Sequence, residues 1–168
     1  MKAIIYTSNT GSTAEYAQLL GNELNLPVHS LQQAKHKVPA GSEIIYLGWI
    51  MAGEIKGYKE AAKLYKVRAV CGVGMGQTGT QLKEVRDKNA IPQRIPLFTL
   101  QGNFDVKKLH GVYRFMMNVM VKTAGKGLAN KTDRTPEEDD MLDMMVNGGK
   151  RVSLRNMKAI TEWYKNIH

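Results

Sequence analysis

The sequence predicts an α/β protein: a doubly wound, five-stranded parallel sheet with extra helices in the C-terminal third. Three observations carry this reading. Over residues 1–105 short apolar runs alternate with helically spaced segments, the order that parallel strands with crossovers require. The runs Ala3–Tyr6 and Ile44–Leu47 are apolar throughout, as strands covered on both faces are. Beyond residue 105 strand patterns stop, and helical patterns separated by polar breaks take over.

Residues 2–6 read as a buried first strand. Residues 13–25 set Ala14, Ala17, Leu20 and Leu24 at helical spacing. Leu26 to Ser30 is a short second strand, and Ser42 to Gly48 a third. Residues 58–65 read as a helix, Val67 to Val73 as the fourth strand, residues 79–89 as a helix, and Ile95 to Leu100 as the fifth strand. Residues 109–124 look helical, and a polar break follows at 125–134. Thr135, Pro136 and Glu138 mark a new helix, with Thr as N-cap, Pro at its first position and Glu three residues after the cap. Asn147-Gly148-Gly149 ends it. A last helix spans 153–167 and is expected to cover the sheet, with Trp163 and Tyr164 anchoring it. No repeat or linker interrupts the chain, so 1–168 reads as one domain with a helical insert at about 105–150.

The 168 residues include 24 Lys or Arg and 15 Asp or Glu, a formal net charge of +9. The single cysteine, Cys71, excludes a disulfide framework and a multi-cysteine metal site, and reads as a core residue. His29, His36, His110 and His168 lack metal-ligand spacing. No apolar run approaches the ~20 residues of a membrane helix. The N-terminal apolar stretch is too short for a signal peptide, so a cytoplasmic protein is expected. The basic residues are scattered and accompany no nucleic-acid-binding motif, which argues against a nucleic-acid partner. Residues 3–34 hold no Lys or Arg, whereas residues 135–146 hold five acids and no base.

The most informative segment is Thr7-Ser8-Asn9-Thr10-Gly11-Ser12-Thr13, between the first strand and the first helix. Backbone N–H groups at a helix start, with Ser and Thr hydroxyls, can wrap a phosphate without a cationic side chain. The competing reading is ordinary capping by Ser12 or Thr13. Position decides for phosphate: the turn lies at the carboxyl end of the first strand of a doubly wound sheet, where such sheets bind ligands. No G-x-G-x-x-G follows that strand. Residues 125–132 fail as a P-loop, because Asn130 stands at the second glycine position and no strand precedes them. The third strand ends in Gly48-Trp49, without the aspartate of a receiver-type signalling domain. Ser8-x-Thr10-Gly11-x-Thr13 resembles the FMN-phosphate loop of the flavodoxin family at every defining position. The resemblance implies a flavodoxin-like fold, FMN as cofactor, and contact of Ser8, Asn9, Thr10, Gly11, Ser12 and Thr13 with its 5′-phosphate.

A flat ring also needs walls. Trp49 offers a stacking surface at the end of the third strand, or packs beneath the helix at 58–65. Ile50-Met51-Ala52-Gly53 resembles the family's second flavin loop, with Met51 where an aromatic is common. Gly53 tolerates positive φ, so a peptide beside it can turn its carbonyl toward the flavin N5 on reduction. Residues 72–79 contain four glycines. By the resemblance this is the third flavin loop, with Gly74, Met75 and Gly76 at the pyrimidine end and no tyrosine for the outer face. Gln101 to Phe104 sits near the rim.

In residues 109–124, His110, Arg114, Asn118 and Lys122 form a polar stripe on an otherwise apolar helix. Such a helix packs on its neighbour at Met141, Met144 and Met145, or presents a greasy, basic surface to a partner, a quinone or a membrane face. Peripheral membrane contact through 109–124 is one expectation. Tyr113-Arg114-Phe115-Met116 resembles a segment of the quinone-dependent protoporphyrinogen dehydrogenases. Two functions follow. One is an FMN-binding electron carrier serving a redox partner protein. The other is an FMN-dependent oxidoreductase acting on a quinone-like small molecule or a porphyrinogen. The carrier is preferred, because no candidate general acid or base sits in the flavin loops.

Overall fold

The computed structural model describes residues 1–104 and 111–167. Its elements run β1 (Ala3–Thr7), α1 (Ser12–Leu24), β2 (Val28–Ser30), α2 (Leu31–Lys37), β3 (Glu43–Met51), β4 (Glu54–Ile55), α3 (Tyr58–Leu64) and β5 (Lys66–Gly74). They continue with α4 (Leu82–Asn89), β6 (Leu97–Gln101), α5 (Gly111–Asn130), α6 (Pro136–Asn147), a 3₁₀ turn (Leu154–Met157) and α7 (Lys158–Asn166). Five parallel strands stand in the order β2-β1-β3-β5-β6, and β4 pairs antiparallel with the far end of β3. The order reverses at β1 and β3, which places a crevice at their carboxyl ends.

Strand alternation divides the core between two faces. Ile5, Ile44, Tyr46 and Val70 point to one layer, where Ala34 of α2, Ala61 of α3 and Val85 of α4 close on them. Ile4, Ile45, Leu47 and Cys71 point to the other, under Tyr16 and Leu20 of α1 and Ile160 of α7. The last helix does cover the sheet. Trp163 lies 6.3 Å from Phe98, ring centre to ring centre, and packs with Tyr164 against this layer. Cys71 is fully buried, and burial pushes its thiol pKa up, in keeping with a core residue.

Four expectations need correction. The third strand does not stop at Gly48. It continues through Trp49, Ile50 and Met51, because a hairpin with β4 supplies partners for that stretch. A helix, α2, follows β2 directly and is started by a Ser30–Gln33 capping box. The polar break at 125–134 is shorter than expected: α5 runs to Asn130, with Gly125 beside the Met145 sulfur of α6, and only 131–135 separate the two helices. The last helix begins as a 3₁₀ turn at Leu154 rather than as an α-helix at 153. The start of α6 is as expected: Thr135 Oγ1 accepts from the Glu138 N–H, and the Glu138 carboxylate accepts from the Thr135 N–H. His110 lies outside the described residues. Among the described residues no helix is long and apolar enough to cross a membrane.

Tyr46 shows how polar atoms enter this core. Its hydroxyl lies 2.7 Å from the Lys56 carbonyl and 2.7 Å from Thr7 Oγ1, so it donates to the carbonyl and accepts from the threonine. Burial pushes its pKa well above the ordinary tyrosine value, so the folded state favours the neutral phenol. That stability is full below about pH 10 and is lost as the pH rises past the unfolded pKa. Urea midpoints are therefore expected to fall between pH 8 and 11, with Tyr46 contributing about 1.4 kcal/mol at pH 11. Tyr46→Phe lowers stability at pH 8 by about 1 kcal/mol and flattens the alkaline slope. An unchanged slope in the variant contradicts this assignment.

Candidate functional site

The turn from β1 into α1 is built to leave donors open. Gly11 is the N-cap of α1, at φ +106°, and no side chain caps the helix. α3 and α4 also start without a side-chain cap, whereas α2 and α6 are closed by side-chain capping boxes. Ser12 and Thr13 are thus the first buried helical residues, and the capping reading of them fails. The first-turn N–H groups of α1 lack intrahelical acceptors and sit at the positive end of the helix dipole. Ser8 Oγ accepts from the Gly11 N–H at 3.2 Å and closes the turn.

In front of this turn lies a cleft. Asn9, Thr10, Ser12 and Thr13 form its polar end, and Trp49, Ile50 and Met51 of β3 form one wall. Val73, Gly74 and Met75 line the end of β5, and Gly102, Asn103 and Phe104 close the side beyond β6. Trp49 therefore belongs to the cleft wall.

The remaining expected residues lie around this cleft, not on its lining. Ser8 and Gly11 face a second groove, toward Leu31 and Gln32 of α2, which Asn9 also borders. Ala52 and Gly53 form the two-residue turn of the β3–β4 hairpin, at φ +49° and +77°. The Gly53 carbonyl accepts from Asn89 Nδ2 at 2.8 Å, so it is tied to α4. Turning the peptide that follows Gly53 toward the cleft has to break that bond. Gly76 lies in the loop before α4, beside the Gln81 side chain.

Buried side chains fix the hairpin and the loops. Asn89 also accepts from the Ile55 N–H at 2.8 Å and donates to the Val85 carbonyl at 2.7 Å. Gly72 lets Ile50 fold across β5, since a Cβ there would stand 2.7 Å from Ile50 Cδ1. Gln101 directs its amide at the Asp140 carboxylate of α6 and lies 3.5 Å from the Met75 carbonyl. The third loop and the added helices thereby share one side chain.

Asn103 is the residue that sequence reasoning undervalued. Its N–H donates to Ser12 Oγ at 3.0 Å, and its Oδ1 accepts from the Arg151 and Val152 N–H groups at 2.6 and 3.0 Å. Its Nδ2 reaches Glu15 at 3.1 Å. The Ser12 hydroxyl is therefore engaged in holding the turn in place. An Asn two residues past a strand end, where a loop must be tied down, was the available signal.

A family model described as a flavodoxin domain matches residues 3–131. No curated protein and no solved structure matches the chain. Strand order, open helix start and family match agree: the chain belongs to the flavodoxin family, whose members are flavin-binding redox domains. The resemblance to protoporphyrinogen dehydrogenases rests on Tyr113 to Met116. The side chains of Tyr113, Arg114 and Met116 lie outside the described residues.

Asn103→Ala leaves two backbone donors without an acceptor, at a cost of about 2 kcal/mol. Hydrogen exchange at the amides of Arg151 and Val152 is expected to accelerate at least tenfold. Unchanged protection there argues that the Asn103 contacts carry no weight.

Proposed function

We propose that the protein binds FMN and works as an electron carrier. The observation that carries this reading is the uncapped start of α1 opening into a cleft whose other described walls are apolar apart from Asn103. The donor set fits a phosphate ester: N–H groups of the first turn with the hydroxyl of Thr10, and no cationic side chain among the described cleft residues. The walls fit a planar ring, with Trp49, Met51 and Met75 offering flat or deformable apolar surface. Bound there, the flavin supplies one- and two-electron chemistry. The residues of the chain anchor the phosphate, exclude water from the ring and hold the β3–β4 hairpin through Asn89. A redox partner protein meets the open edge.

One observation favours the second reading, an FMN-dependent oxidoreductase for a quinone-like molecule. Phe104 lines the cleft and also begins the excursion that leads into α5, so the added helices spring from its rim. Steady turnover of a small quinone without any protein partner separates enzyme from carrier.

Titrating cofactor-free protein with FMN and with riboflavin tests the phosphate anchor. FMN is expected to bind about 100-fold more tightly. Thr10→Glu sets a carboxylate beside the dianion and is expected to erase most of that preference. Equal affinities in the parent protein overturn the proposal.

A further inference from the structure

We propose that the outward face of α5 docks the protein on an anionic bilayer surface. α5 packs chiefly on α6, through its Gly125 side. Away from that contact, Phe115 is 70% exposed and Val119 is 44% exposed. Lys122 and Lys126 are exposed too. The spacing of Phe115, Val119, Lys122 and Lys126 puts all four on one helix face, apolar at its first half and basic at its second. α5 carries Arg114, Lys122 and Lys126 and no acid, within a chain of net charge +9.

Four of the five acids of α6 are paired with other cations, and Glu137 makes no ion pair with this face among the described residues. Glu138 pairs with Lys131 at 2.8 Å and Asp139 with Arg134 at 2.6 Å, at the turn between the helices. Asp140 and Asp143 pair with Arg151 at 3.3 and 3.1 Å. Lys122 and Lys126 make no ion pair among the described residues. An exposed aromatic beside uncompensated lysines, on a helix about 30 Å long, is the composition of a helix that lies in the lipid headgroup region. The charge complementarity selects an anionic surface. The face is separate from the cleft, so the proposal stands whether or not FMN is the cofactor.

Co-sedimentation with vesicles tests it, comparing pure phosphatidylcholine with a mixture holding about one-third phosphatidylglycerol. At low salt the bound fraction is expected to be about tenfold higher on the anionic vesicles, and to fall as salt is raised. Phe115→Asp is expected to cut binding at least fivefold while leaving the melting temperature unchanged, because the side chain is mostly exposed. Lys122→Glu with Lys126→Glu is expected to remove the preference for anionic lipid. Absence of binding to both vesicles, equal binding to the two, or full binding by Phe115→Asp overturns the proposal. Retention on immobilised polyglutamate with no affinity for either vesicle assigns the face to an acidic protein instead, and also overturns it.

Discussion

A dianion held without a cation must be met by dipoles that cannot move away from it. Under the proposed FMN binding, this requirement falls on the start of α1. Each N–H of the first turn contributes only part of an elementary charge, so the attraction depends on several of them pointing at one place. The donors stay open because Gly11, not a serine or threonine, occupies the cap. They stay in place because the helix is tied at several points to elements far away in sequence. Ser12 is bonded to Asn103, and the Tyr16 hydroxyl donates to the Gln101 carbonyl at 2.6 Å and accepts from Asn156 at 2.7 Å. Each bond is worth about 1 kcal/mol, and together they fix the helix start against β6 and the chain leading to α7.

The same bonds explain how the fold tolerates a long excursion between β6 and α7. Phe104 and Gly149 pair as an antiparallel bridge, with N–H to carbonyl distances of 3.0 and 3.1 Å in the two directions. The chain thus leaves and re-enters the domain at one closed point. Asn103 on one side and Arg151 and Val152 on the other reinforce that closure. The excursion is anchored by Met144, fully buried, and by the contact between Asp140 and Gln101. Helices can be added there without disturbing the sheet, yet they share the Gln101 side chain with the loop that carries Met75.

Much of this was legible from residue patterns. The turn at residues 7–13 was readable because its chemistry is local: small hydroxyl residues, one glycine, and a strand before a helix. The start of α6 was readable for the same reason, since a Thr-Pro-Glu-Glu sequence satisfies its own backbone. What was not legible depended on contacts across the sequence. Trp49 to Met51 extend β3 only because Glu54 and Ile55 fold back on them, through a turn with Ala52 at positive φ that lacks the usual Asn-Gly signature. Gly125 and Gly127 suggested an end to α5, but the helix runs through both despite their weak helix propensity, with Gly125 packed beside Met145. α2 was detectable in principle, since Ser30 and Gln33 spell a capping box. The roles of Asn89 and Asn103 came only from their partners.

The central claim is that uncharged donors at the start of α1 hold a phosphate. Backbone amide NMR during titration with FMN and, separately, with riboflavin tests it most directly. The account predicts that FMN shifts the amides of residues 10–14 strongly, whereas riboflavin leaves them nearly still and perturbs chiefly the Trp49 indole. Shifts at residues 10–14 that are the same for both ligands, or absent with FMN, would contradict it.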